Sequence, residues 1–202
     1  MTWIDHCKRR FSNAFCMHLP PHGPKLFLMS QFDPWLLSAE TGEPFSHCIH
    51  CKLPLVEIDS QWLINKDFHK GECTLEYAIC EGCREQTSED FSDDSKQAVR
   101  NFLENEIPWE ERLQSFVLDP NSRMSHCVAC DCPREAAEGY ATSILLSPSG
   151  EIDFGPLPLL LCNQCVEQMS DRLSQSTKDS WRRFLDEHFD CPPQLSTLPG
   201  LL

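Results

Sequence analysis

Eight of the chain's thirteen cysteines fall into four Cys-x-x-Cys pairs: Cys48/Cys51, Cys80/Cys83, Cys127/Cys130 and Cys162/Cys165. Two thiols held two residues apart on one turn are poorly placed to bridge distant loops and well placed to share a metal ion. Zinc takes four soft or borderline ligands at tetrahedral angles, with sulfur at about 2.3 Å. Two such turns supply all four ligands and leave no open coordination position, the mark of a structural rather than a catalytic site. One pair alone is a weak signal. The spacing C-x2-C-x28-C-x2-C, followed by C-x2-C-x31-C-x2-C in the same chain, is a strong one. The expected ligands are therefore Cys48, Cys51, Cys80 and Cys83 for one ion and Cys127, Cys130, Cys162 and Cys165 for a second, giving two Zn2+ per chain. Thiolate tetrads also suit iron, and the sequence does not separate the two metals.

The elements that must bring these pairs together are written twice. "SHCIHCKLP" (46–54) returns 79 positions later as "SHCVACDCP" (125–133), and the second pair returns at an offset of 82. That second offset then runs on without a gap, laying "CREQTSEDFS" over "CVEQMSDRLS" and "SKQAVRNFLEN" over "TKDSWRRFLDE". The chain is a tandem duplication. In each copy the first pair precedes two extended segments, "QWLINKDF" and "CTLEYAI" around "HKGE", or "YATSILL" and "IDFGPLPLLL" around "SPSG". The second pair leads into a short polar helix ending near Phe91 or Leu173. Ser92, or the stretch from Ser174 to Thr177, then offers caps for a longer helix. Val99, Phe102, Leu103 and Ile107 form an apolar stripe on that helix, repeated by Trp181, Phe184, Leu185 and Phe189, and such a face is expected to cover its own hairpin or the sister copy. Between the copies, Pro108 and Pro120 bracket a short helical stretch with Trp109, Leu113 and Phe116.

The order of knuckle, hairpin, second Cys-x-x-Cys and helix resembles the treble-clef and zinc-ribbon modules, over residues 48–105 and 127–187. The resemblance implies a small α+β fold of two tandem treble-clef-like zinc modules, each with structural metal and a small exposed platform, and it implies no activity by itself. It also places the second pair on a helix's first turn, where the helix dipole favours sulfur's negative charge. The expected organisation is an N-terminal extension over 1–28, disordered or an over-long start before Met29; a first module over 29–108; and a linker, second module and proline-rich tail over 109–202.

Composition narrows the function. The net charge is −14, and from Met29 onward 13 bases face 30 acids, so a nucleic-acid partner is disfavoured. No apolar run is long enough to span a membrane, and "HCKRRF" and "KLFLM" are too short and broken for a signal-peptide core, which points to a cytoplasmic protein. With an odd cysteine count, this speaks against a disulfide framework. The expected function is a non-enzymatic, acidic zinc-binding protein, an interaction or adaptor module for a protein partner. Two alternatives stand beside it. An HNH-type nuclease is also built on a treble clef, but it needs a His base, and only His69 in "KDFHKGE" lies suitably. Thiol redox chemistry or an oxidation-sensitive zinc switch would use the same Cys-x-x-Cys pairs. His47 and His126 precede the first ligand of each copy and read as hydrogen-bonding neighbours or exposed rings rather than ligands. His50, Cys73, Cys132 and Cys191 have no such equivalents and read as bystanders, and irregular spacing argues against a site from Cys7, Cys16, His18 and His22. The acidic run 88–95 reads as helix capping and solvated charge.

Overall fold

The computed structural model describes residues 34–118 and 122–190, so the extension over 1–28, the start at Met29 and the tail with Cys191 lie outside the described residues. Strands β1 (Trp62–His69) and β2 (Glu72–Cys80) form the first hairpin. Lys70 and Gly71 both take positive φ, 51° and 84°, and this is the turn geometry whose twist matches the flanking strands. In the second copy β3 (Gly139–Leu146) pairs with β4 (Leu159–Cys162). β4 is shorter than the extended segment "IDFGPLPLLL" suggests. Pro156 and Pro158 have no N–H for a ladder, and before them only Ile152 forms a bridge, to Leu146.

The hairpins join into one antiparallel sheet of order β2-β1-β3-β4, so the two repeats meet along β1 and β3. Their pairing has a pseudo-two-fold axis that follows from the register. Trp62 lies opposite Cys80 and Tyr140 opposite Cys162, which makes Trp62 and Tyr140 equivalent. Three residues further along each strand stand Asn65 and Ser143, and these two lie opposite each other across the repeat boundary. Their side chains bond on the axis: Ser143 Oγ donates to Asn65 Oδ1 at 2.6 Å, and Asn65 Nδ2 donates to the Tyr77 hydroxyl at 3.1 Å. Both are buried, so each leaves water only because it has a partner.

Helix α1 (Glu81–Glu89) follows β2, and α2 (Asp93–Asn101) continues into a π turn over Phe102–Glu106. The linker carries α3 (Trp109–Leu118) and the single turn α4 (Ser122–Ser125). The second copy repeats the first two as α5 (Asn163–Ser170) and α6 (Gln175–His188). Ser92 and Ser174 are the N-caps of α2 and α6, accepting from the amides of Ser95 and Thr177. The caps also interlock. Ser92 N–H donates to Thr177 Oγ1 at 3.0 Å, Ser174 N–H donates to Ser95 Oγ at 2.9 Å, and the two cap hydroxyls lie 2.8 Å apart. This reciprocity is the same pseudo-two-fold axis seen in the sheet.

The apolar stripes are buried through Phe102, Leu103 and Ile107 in one copy and Trp181, Phe184 and Leu185 in the other. The α6 stripe covers the sister copy: Trp181, Phe184 and Phe189 surround the ring of Tyr77 on β2 at 6.1–6.4 Å. In return, Arg172 beyond α5 stacks on Phe102 at 5.6 Å and pairs with Glu106. On the sheet's other face, Lys66 is buried, donates to Leu37 O and pairs with Glu76 at 3.2 Å. Glu76 in turn accepts from Ser38 Oγ and the amides of Ala39 and Glu40, which fastens the 37–45 segment over the strands. Among the described residues no helix is long and apolar enough to cross a membrane.

Candidate metal centres

Each tetrad is assembled from a knuckle laid on a sheet edge and a helix start. In the first, Cys48 N–H donates to Leu53 O and Lys52 N–H to Cys48 O, closing the turn that carries Cys48 and Cys51. Lys52 takes a positive φ of 61° within it. The second knuckle repeats the pattern with Cys127 N–H to Cys132 O, Asp131 N–H to Cys127 O, and a φ of 62° at Asp131. Each knuckle then binds the outer strand of its own hairpin through one amide, Ile49 N–H to Ala78 O and Val128 N–H to Leu160 O, both at 2.8 Å. Cys80 and Cys162 end β2 and β4 and are the N-cap residues of α1 and α5, so Cys83 and Cys165 lie in the first helical turns.

The result is two groups, Cys48/Cys51/Cys80/Cys83 and Cys127/Cys130/Cys162/Cys165, whose sulfurs all lie within 4.8 Å of one another. Four sulfurs at about 2.3 Å from a tetrahedral ion stand about 3.8 Å apart. The groups are compatible with that spacing, and Cys130 and Cys162 already approach to 3.6 Å. Both groups could hold a metal ion. Their donors are thiols only, a set that suits zinc and leaves no place for a hard, oxygen-seeking cation.

The thiols are not equivalent in acidity. The Cys165 thiol donates to Cys127 and, with the amides of Cys130, Cys162 and Ala129, outweighs burial to bring Cys127 down to about 5. Its counterpart Cys48 is lowered as well; burial alone would raise it, but the amides of Cys80, Cys51 and His50 prevail. The helix-start thiols move the other way. Burial raises Cys80 and Cys83 and pushes Cys162 up to about 12, and Cys165 is raised because its proton is engaged by Cys127. Cys48 and Cys127, at matching positions in the two copies, are thus both shifted towards the thiolate form that binds a cation, and a metal ion would displace whatever protons remain on the four thiols.

The other residues singled out in the sequence stay out of the two groups. His47 and His126 each have Nδ1 2.9 Å from the preceding serine, Ser46 or Ser125. His69 ends β1 and lies 4.0 Å from Glu138. Cys73 is half-buried on β2, where burial and Glu76 push it up to about 11. Cys132 closes the second knuckle through its carbonyl, and its thiol donates to Pro133 O. Sequence reasoning missed three features. His50, inside the first knuckle, contacts His188 of α6, Nδ1 to Nε2 at 3.0 Å, and stacks on Phe184 at 6.3 Å. Arg112 of α3 reaches the second knuckle, with Nε donating to Val128 O at 2.9 Å and a 2.8 Å ion pair to Asp131. Arg123 is buried under Phe116 and donates to the carbonyls of Gly155, Leu157 and Pro158.

No protein-family model matches the chain, and no curated protein or solved structure gives a significant match to it. The class that the fold and the site define is a mixed α and β protein with a four-stranded antiparallel sheet and two tetracysteine groups able to hold metal.

Proposed function

We propose that the chain is a non-enzymatic zinc protein in which each repeat is a treble-clef-like module around one structural Zn2+, and that the pair acts as an interaction or adaptor platform for a protein partner. The observation that carries the metal reading is the gathering of four sulfurs, and no other donor type, twice in one chain. Cys48, Cys51, Cys80 and Cys83 would hold one ion and Cys127, Cys130, Cys162 and Cys165 the other; bound there, zinc supplies cross-linking, with all four positions taken. The adaptor role is supported by the closed ligand sets and by a net charge of −14, which suits partners with basic surfaces. A structural zinc contributes on the order of 10 kcal/mol of apparent binding free energy to folding, more than a small core supplies.

Native mass spectrometry with elemental analysis tests this directly. Two zinc ions per chain, with loss of far-ultraviolet circular dichroism on chelation, is the expected result. A metal-free chain that keeps its fold, or one with Cys-x-x-Cys disulfides, would replace the zinc reading with thiol redox chemistry.

A further inference from the structure

The helical stretches that leave the two tetrads do not stay with their own copies. The chain leaving Cys83 runs through α1 and α2 into α3, and there Arg112 holds the carbonyl of Val128 and the carboxylate of Asp131 in the second knuckle. The chain leaving Cys165 runs through α5 into α6, and there His188 and Phe184 hold His50 in the first knuckle. Each knuckle is therefore clamped by a helix whose route starts at the other tetrad. Midway, the two routes cross at the interlocked caps, where Ser92 and Ser95 bond to Ser174 and Thr177.

Resting on the zinc reading above, we infer that the two metal sites fill and empty as a pair, each ion ordering the helix that clamps the knuckle of the other site. The physical reason is shared ordering. Filling the first tetrad fixes Cys83 at the start of α1, and with it the α1–α2–α3 route that presents Arg112 to the second knuckle. The ordering entropy met by the first ion is then not met again by the second, which is positive coupling. The effect is reciprocal, because the same free energy links the two binding events in either order. The clamps differ in chemistry, an arginine fork on one side and a histidine pair on the other, so they can be removed separately while all eight cysteines remain.

Zinc titration of the full chain, followed by native mass spectrometry, reads the coupling as the share of one-ion species at half saturation. Independent, equal sites put about half of the molecules in that species, and a tenfold coupling reduces it to about a quarter. The expected wild-type value is about a quarter or less. In Arg112→Ala/His188→Ala the one-ion share is expected to rise to half or beyond. A wild-type share of half or more overturns the inference without reference to any variant. A double variant that keeps the wild-type distribution overturns the route through the clamps. Failure to bind zinc at all would instead remove the reading beneath, a result distinct from two ions that load independently.

Discussion

Asp67 stands on central strand β1 between Leu75 of β2 and Ala141 of β3. Burial raises its carboxyl from the ordinary 3.8 to about 7, and among the described residues no cation is paired with it. The folded chain therefore keeps this proton to about pH 7, whereas the unfolded chain releases it near 3.8. Because the folded-state value is the higher one, stability is fully present below about pH 4 and is lost as pH rises towards and through 7. The difference between the two values corresponds to about 4 kcal/mol over the whole range, an upper bound because part of the residue reaches solvent. Asp67→Asn keeps the shape and removes the charge. Zinc-loaded wild type and variant are to be unfolded in urea at several pH values, and only their difference is used, so that thiol and metal contributions common to both cancel. The variant's advantage is expected to grow by up to about 2 kcal/mol between about pH 5.5 and about pH 8. Parallel profiles would refute the reasoning, because they would mean that the carboxyl ionises in the folded chain as readily as in the unfolded one.

Gly139 begins β3 where a Cβ would lie 2.8 Å from the backbone oxygen of Phe68, so Gly139→Ala is expected to cost about 1–3 kcal/mol in urea unfolding, through displacement of the β1–β3 ladder. Arg123→Met keeps an apolar stem under Phe116 but removes the guanidinium donor from the carbonyls of Gly155, Leu157 and Pro158, of which Leu157 retains the Gly155 amide; a loss of about 2–3 kcal/mol is expected, with faster amide exchange in β4 as the local readout. Ser92→Ala and Ser174→Ala should each cost about 1 kcal/mol as lost caps. Because the two hydroxyls also bond each other, the double variant should cost less than the sum, and a thermal double-mutant cycle measures the difference.

The two tetracysteine groups were legible because their chemistry is local in sequence. Two thiols on one turn announce themselves, and the duplication matches each pair with its counterpart, so that Cys48 and Cys127 later prove to share a shift in acidity as well as a position. The apolar stripes were equally readable, since Trp181, Phe184 and Leu185 repeat at the helical period. What the stripe covers was not. Whether α6 lies on its own hairpin or on Tyr77 of the other copy depends on the length and direction of the 171–174 connection, and no periodicity encodes that. Strand β1, "WLINKDFH", shows a different limit. A strand with one wet face alternates apolar and polar residues, whereas β1 has β2 and β3 beside it and protein over both faces, so Asn65 and Lys66 are both buried. They are tolerated because each has dedicated partners, Ser143 and Tyr77 for one, Glu76 and Leu37 O for the other. Those partners lie 10 to 78 residues away along the sequence.

The pairing of β1 with β3 also explains why two short hairpins make one sheet. A lone two-stranded hairpin is at best marginal in water, and both of its edges invite further pairing. Joined through Asn65 and Ser143, each hairpin removes one edge of the other. The outer edges that remain, β2 and β4, are each met by a knuckle amide, Ile49 on Ala78 and Val128 on Leu160. A metal ion in either tetrad would hold that knuckle in place, and would therefore do more than cross-link four cysteines: it would keep the end of the sheet closed to other strands. On this argument the first consequence of losing metal is an open sheet edge at β2 or β4, so chelated protein should associate through new strand pairing. Concentration-dependent light scattering after chelation reads this out, and chelated chains that unfold while staying monomeric at every concentration would contradict it.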